Sequence, residues 1–232
     1  MPNWIKPICA TAVVVLALVS VLVALGHMSH SVWYDESQTH LIARQGTLGG
    51  VTALAMQERP YPPLFFFAVH YSLLLRDDET GLRLPAAVFG ALAVLAVFLL
   101  GSELVDSLTG TVAAFLFVLT PGAFRYFVDG NTYTLLMLAS ALSTLYLWRA
   151  ARSDAMWDWA LYALFALVGL GTHSLFVFHL GAQVLAGIFL RTRSQPAAGR
   201  SYRRLTWVMG HCWEPHCSGA LSTRGSAAAS GP

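Results

Sequence analysis

The chain has 232 residues, of which 56% are hydrophobic and only 11% are charged. Soluble domains carry about 25% charged residues, so this composition excludes a soluble globular protein and indicates an integral membrane protein. The net charge of +2 is too small, and the basic residues are too scattered, for a nucleic-acid-binding protein. The 3 cysteines do not form the pattern of a disulfide framework.

The N-terminal part begins with an apolar run, 8–26, that is long enough to cross the hydrocarbon core, which takes about 20 residues. The run is too long for a signal peptide and lacks a convincing cleavage site, so we expect it to be retained. Residues 27–83 are more polar and are expected to form an external loop. Within this loop, 48–57 is amphipathic, and 64–75 is apolar but short for a span. The sequence predicts an interfacial or re-entrant helix over 64–75.

Five further apolar segments are each expected to cross the membrane. They are 84–100, 111–124, 133–148, 157–170 and 174–190. The sequence therefore predicts an all-α, polytopic transmembrane helical bundle over residues 1–193, with interfacial helices in the first external loop. Residues 194–232 show no helical or strand period and are expected to be a disordered or aberrant tail.

The distribution of charge predicts the orientation of these spans. If the N-terminus is cytoplasmic, most basic residues of the short flanks lie on the cytoplasmic side, as the positive-inside rule requires. Loop 101–110 is the exception, because it carries two acidic residues and no basic one. In this orientation three polar patches face outward, at Asp35 and Glu36, at Asp129 and at His173. We expect them to form a single site.

The adjacent carboxylates of Asp35 and Glu36 follow directly after the first span and two aromatic residues. Charged groups at a membrane boundary are costly to desolvate, so they indicate a functional site. A second interpretation is that Asp35 is the N-cap of a helix 36–45, with Gln38 completing a capping box. The two interpretations are compatible and both remain open.

Five short motifs occur in a characteristic order along the chain. They are Trp33-Tyr34-Asp35-Glu36, Tyr61-Pro62-Pro63-Leu64, Leu82-Arg83-Leu84-Pro85, Tyr126-Phe127-Val128-Asp129-Gly130-Asn131-Thr132-Tyr133 and Gly171-Thr172-His173. With these motifs the chain resembles the GT-C glycosyltransferase superfamily, in the branch that uses dolichyl- or polyprenyl-phosphate sugars. That branch includes protein O-mannosyltransferases, bacterial aminoarabinose transferases and Rgt-type lipopolysaccharide sugar transferases.

The resemblance implies an enzyme that moves a hexosyl or pentosyl group, with inversion, from a polyprenyl-phosphate-linked donor to a hydroxyl group. The reaction is expected on the outer face of the plasma (inner) membrane. The partners implied are the lipid-linked sugar donor, membrane lipids, and an acceptor that is a glycan, a lipid or a protein. No nucleic acid is expected as a partner.

The resemblance also assigns roles to single residues. Asp35 would be the general base that takes the proton of the acceptor hydroxyl, and Glu36 would orient the loop or the acceptor. The donor phosphate would be bound by arginines, because a phosphate leaving group needs cations rather than a general acid. The candidates are Arg83, Arg59 and Arg125.

Further residues are expected to position the donor or the acceptor, namely Asp129, Asn131 and His173. The family commonly has Gln-Glu-Ala-Arg where this chain has Val-Asp-Gly-Asn at 128–131, so Asn131 stands where an arginine is expected. Arg125, one helical turn earlier, is a candidate replacement. No cofactor is expected; a divalent metal held by Asp35, Asp129 and His173 is an alternative.

Three alternative interpretations accompany the resemblance. The flanking aromatic residues, including Tyr61 and Tyr133, are interpreted as an aromatic belt at the membrane interface rather than as sugar platforms. A transporter would place ionisable residues within broken spans or show an internal repeat, and the sequence indicates neither. The last alternative is an inactive, C-terminally truncated transferase, because family members usually continue with further spans.

Overall fold

The computed structural model describes residues 4–28, 31–58, 61–153 and 155–193. Within these residues the chain forms ten α-helices and no β-strand, which confirms the predicted all-α fold. The helices are α1 (Ile5–Gly26), α2 (Tyr34–Ala43), α3 (Leu48–Glu58), α4 (Leu64–Leu75), α5 (Glu79–Leu104), α6 (Ser107–Leu119), α7 (Pro121–Val128), α8 (Tyr133–Ser153), α9 (Met156–Leu170) and α10 (Phe176–Arg193). The predicted tail 194–232 and the candidate Arg59 lie outside the described residues.

Three helices, α1, α5 and α8, are long and apolar enough to cross a membrane, with 22, 26 and 21 residues. The pair α6 and α7 forms a fourth candidate span, which is bent by 67°. Helices α9 and α10 coincide with the last two predicted spans but provide shorter apolar stretches. The composition and these helices are those of a multi-pass membrane protein, while the number of six spans stays a prediction.

The predicted span 111–124 contains the bend between α6 and α7. The bend lies at Thr120 and Pro121. Proline has no N–H to continue a helical ladder, and it disfavours the helical conformation of the residue before it. Thr120 is accordingly extended, with φ −70° and ψ 114°, and Pro121 begins the new helix.

Helix α5 is the centre of the described fold, because α1, α4, α6, α7 and α8 all pack against it. Its contact with α6 requires glycine on both sides. A Cβ atom on Gly101 would lie 2.8 Å from the Cα atom of Gly110, and one on Gly110 would lie 2.4 Å from the carbonyl oxygen of Phe98. Small residues at such crossings let two helix backbones approach closely.

An ion pair joins one end of α5 to one end of α8. The Nε atom of Arg149 donates to Glu103 Oε1 at 3.1 Å. Loop 101–110 therefore lies at the same end of the bundle as the basic end of α8. The charge of Glu103 in this loop is thus balanced by a neighbouring arginine.

Substituting Gly110→Ala should lower the free energy of unfolding by roughly 1–3 kcal/mol, because the added methyl group would overlap the α5 backbone. Thermal unfolding in detergent measures the effect. The matched control is Gly122→Ala, whose Cβ would meet no atom within 4 Å. Equal melting temperatures for the two variants would contradict the close α5–α6 contact.

Candidate active site

A buried ion pair between Glu36 and Arg83 lies where α2 meets α5. The Nε atom of Arg83 donates to Glu36 Oε1 at 2.7 Å, and Nη2 donates to Oε2 at 2.7 Å. The two side chains are only 2% and 3% exposed. This is the two-pronged arginine–carboxylate geometry, which is stronger and more directional than a single contact.

Both side chains of the pair also form hydrogen bonds with backbone groups of other segments. Arg83 donates to the carbonyl oxygen of Met28 at 2.6 Å and to that of Ser31 at 3.3 Å. Glu36 accepts the N–H of Gly130 at 2.9 Å and that of Trp33 at 3.1 Å. The pair thus joins the end of α1, the start of α2, α5 and the loop between α7 and α8.

The hydrogen bonds determine the protonation state of Glu36. Burial raises the pKa of Glu36, but the Arg83 guanidinium and the N–H groups of Gly130 and Trp33 outweigh burial. The pKa of Glu36 is therefore below its ordinary value, and the carboxylate is ionised at neutral pH. An ionised carboxylate bound in this way is a poor proton acceptor.

The start of α2 differs from the predicted cap. The N-cap residue is Trp33, the helix begins at Tyr34, and Glu36 rather than Gln38 occupies the third helical position. The prediction of Asp35 as the N-cap was wrong, because the Glu36 carboxylate accepts the N–H of Trp33 and the helix begins two residues earlier. Successive helical residues point in different directions, so Asp35 is exposed while Glu36 is buried.

Asp129 lies at the C-terminal end of α7, beside the buried pair. Its side chain is 27% exposed, and its Oδ2 atom lies 3.3 Å from the Nε atom of Arg125. Burial and the negative charge of Glu36 raise the pKa of Asp129, while Arg125 and Arg83 act in the opposite direction with a smaller effect. Asp129 therefore holds a proton more readily than an ordinary aspartate.

Arg125 is the exposed arginine next to this carboxylate. Its side chain is 64% exposed, and its guanidinium carbon lies 5.5 Å from the centre of the Trp33 ring. This is the geometry of a cation–π contact. Arg125 thus connects α7 to the start of α2, where Asp35 is located.

Asn131 belongs to the tight turn after Asp129. Its N–H donates to the carbonyl oxygen of Asp129 at 2.7 Å, and its Oδ1 atom accepts the hydroxyl of Thr132 at 3.2 Å. Gly130, between them, approaches α5 closely, since a Cβ atom there would lie 3.1 Å from Leu82. The side-chain contact of Asn131 stays within its own turn.

His173 lies in the loop between α9 and α10 and is buried, with 3% exposure. Its ring centre is 4.7 Å from that of Tyr61 and 5.7 Å from that of Tyr133. The N–H of Leu175 donates to Nδ1 at 3.1 Å, so the neutral imidazole carries its proton on Nε2. Burial lowers the pKa of His173, which favours the neutral form.

The predicted site residues thus fall into two connected groups. Glu36, Arg83, Arg125 and Asp129 form one group around the buried pair, and Asp35 is adjacent to it in the chain. His173 lies in an aromatic row, whose members are Tyr61, His173, Tyr133 and Tyr126. Over the ranges described, no three His, Cys, Asp or Glu side chains are grouped as metal ligands.

The roles of three residues in the site, Gly130, Trp33 and Tyr61, were not predicted from the sequence. Gly130 and Trp33 bind Glu36 through backbone N–H groups, which every residue except proline has, so no residue type signals them. The contact of Trp33 with Arg125 joins residues far apart in the chain and leaves no local pattern. Tyr61 was identified as aromatic, but its contact with His173 was not.

Comparison with protein families gives a match over most of the described helices. The model of a family described as dolichyl-phosphate-mannose-protein mannosyltransferase matches residues 60–196, which is more than half of the chain. The matched range contains Arg83, Arg125, Asp129 and His173, and begins after Asp35 and Glu36. Neither the curated proteins nor the solved structures gave a match.

Substituting Glu36→Gln should destabilise the protein by roughly 3–5 kcal/mol, because it leaves the buried Arg83 charge without its partner. Thermal unfolding in detergent at neutral pH measures this loss. Glu58→Gln is the matched control, since Glu58 is an exposed carboxylate at the end of α3. A melting temperature for Glu36→Gln as high as that of the control would contradict the role of the pair.

The pH dependence of stability gives a second readout. The pKa of Glu36 is lower in the folded than in the unfolded protein, so its contribution is complete above the unfolded value of 4.5 and is lost as the pH falls through the folded value. The melting temperature of the wild type should therefore fall more steeply below pH 4.5 than that of Glu36→Gln. Parallel acid profiles would contradict this assignment.

Proposed function

The chain belongs to the dolichyl-phosphate-mannose-protein mannosyltransferase family, and we propose that it transfers a sugar to a hydroxyl acceptor at the outer face of the plasma (inner) membrane. The family is one of membrane glycosyltransferases that use polyprenyl-phosphate sugars as donors. The observation that carries the proposal is the buried Glu36–Arg83 pair, which joins the Asp35 helix to the Asp129 loop. We further propose that residues 1–193 form one transferase domain with six spans.

We assign the role of general base to Asp35. Attack on the anomeric carbon requires an acceptor hydroxyl that loses its proton as the bond forms, and a carboxylate within hydrogen-bond reach can accept it. Asp35 is exposed at the first turn of α2, whereas Glu36 is occupied by Arg83. Displacement in a single step would invert the configuration at that carbon. Glu36 then has the role of fixing the helix that carries the base.

We assign the donor phosphate to Arg125. The leaving phosphate is stabilised by cations, and Arg125 is the exposed arginine beside Asp129. Arg83 is buried and bonded to Glu36, so it would not contact the phosphate directly. It would act on the phosphate through its charge and by holding the neighbouring loops in position. Arg59, just before the Tyr61 motif, stays a prediction as a second phosphate ligand. Asp129 and Asn131 are proposed to orient Arg125 and the turn beside it.

The branch of the family is a finer proposal. The motif order is similar to that of protein O-mannosyltransferases, aminoarabinose transferases and Rgt-type transferases, whose acceptors are proteins, lipids and glycans. The acceptor of this chain is proposed to be one of these three classes. The donor sugar is proposed to be a hexose or pentose, with mannose as the first to test because the family description names it.

Substituting Asp35→Asn should reduce sugar transfer by about 10²–10⁴-fold, because the amide cannot accept the proton. Binding of the donor should stay near the wild-type level, since Asp35 faces the acceptor. The measurement is release of mannose from polyprenyl-phosphate mannose to water, together with donor binding to the purified protein in detergent. Undiminished turnover in Asp35→Asn would show that another group is the base.

Substituting Arg125→Gln should weaken donor binding roughly 10- to 100-fold, because a charge-assisted contact with the phosphate is lost. Plain polyprenyl phosphate should be affected equally, since the contact does not involve the sugar. Arg152→Gln is the matched control, an exposed arginine at the other end of the bundle, over the Trp148 ring. Donor affinity that is the same in both variants would rule out Arg125 as the phosphate ligand.

A further inference from the structure

The Nε2 atom of His173 is a buried hydrogen-bond donor without a partner among the described residues. Its proton position follows from the contact on the other nitrogen, since Nδ1 accepts the N–H of Leu175. Leaving a buried donor unpaired costs about 1–3 kcal/mol, and native structures seldom retain such a group without a use for it. This donor therefore needs an explanation outside the packing of the protein.

The surroundings of His173 restrict which ligand could satisfy it. The rings of Tyr61 and Tyr133 both contact the imidazole, with centre-to-centre distances of 4.7 and 5.7 Å. Both tyrosines are half-buried, unlike Trp33 and Tyr34, which are 65% and 73% exposed as residues of an aromatic belt would be. A neutral imidazole in contact with two aromatic rings offers one hydrogen bond beside apolar surface. That combination suits a sugar hydroxyl better than a phosphate.

The aromatic row also leads from His173 toward the proposed phosphate site. Tyr133 lies next to Tyr126, with ring centres 4.5 Å apart, and Tyr126 follows Arg125 directly in the chain. The loop of His173 is fixed to the start of α4, because the N–H of Leu64 donates to the carbonyl oxygen of Gly171 at 3.0 Å. His173 is thus held by α4 and contacts Tyr133 of α8, and the ring contacts continue from Tyr133 to Tyr126, the residue that follows Arg125.

We propose that the Nε2–H of His173 donates a hydrogen bond to a hydroxyl of the transferred sugar, in a sugar-binding site flanked by Tyr61 and Tyr133. The proposal rests on the proposed function, because it assumes that the donor phosphate is bound at Arg125. The aromatic row then forms one side of the sugar-binding site and is not part of an aromatic belt facing lipid. His173 is a binding and positioning residue and takes no part in proton transfer.

The test compares two ligands that differ only in the sugar, polyprenyl-phosphate mannose and polyprenyl phosphate. In His173→Phe, which keeps a ring but has no N–H, affinity for the mannose-bearing lipid should fall about 10-fold and affinity for polyprenyl phosphate should not change. His173→Gln, whose amide can place an N–H near the Nε2 position, should recover part of the loss. Equal losses for both lipids, or none for either, would overturn the proposal.

A measurement on the wild-type protein covers the case in which the variants do not fold. With ¹⁵N-labelled histidine, the Nε2 signal of His173 should shift when polyprenyl-phosphate mannose is added and should stay in place with polyprenyl phosphate. A signal that responds to neither lipid, although both bind, would refute the contact. If neither lipid binds at all, the proposed function fails as well, and His173 has no sugar to contact.

Discussion

The buried pair of Glu36 and Arg83 is the interaction on which the rest of the site depends. Removing two charges from water costs several kcal/mol per ion, and their attraction offsets this only with good geometry and further hydrogen bonds. Here those bonds come from Met28, Gly130 and Trp33, in three different segments. The pair is therefore stable only when all these segments are in place. Its main effect is to fix the positions of these segments relative to one another, more than to raise the free energy of unfolding.

Because of this buried pair, residues of similar chemistry have different surroundings. Asp35 and Glu36 are neighbours, yet one is exposed and the other is bonded on both oxygens. Arg83 and Arg125 differ in the same way, because one guanidinium is 3% exposed and the other 64%. The charges of the buried pair cancel, whereas Asp35 and Arg125 are exposed beside it. In the proposed function, Asp35 would act as the base on the acceptor and Arg125 as the cation at the leaving phosphate.

The sequence predicts the helices well because their signals are local. Long apolar runs identify α1, α5 and α8, and Pro62 and Pro63 mark the start of α4. The site is less predictable because its contacts join distant residues. Arg83 is 47 positions from Glu36, and Gly130 is 94 positions from it, so no period connects them. Even the local cap at α2 was misplaced, since Glu36 and Gln38 are equally good capping partners and only tertiary contact selects Glu36.

Asn131 stands where the resemblance implies an arginine, and in the proposed function Arg125 takes the place of that cation. Arg125 lies four residues before Asp129, and this i,i+4 spacing brings the two side chains into contact. Arg125 is thus partly neutralised before any phosphate arrives. Burial and the charge of Glu36 already raise the pKa of Asp129. The negative charge of a phosphate bound beside Arg125 would raise this pKa further. If Arg125 binds the phosphate as proposed, protonation of Asp129 would release Arg125 to it, so that proton uptake and phosphate binding would favour each other.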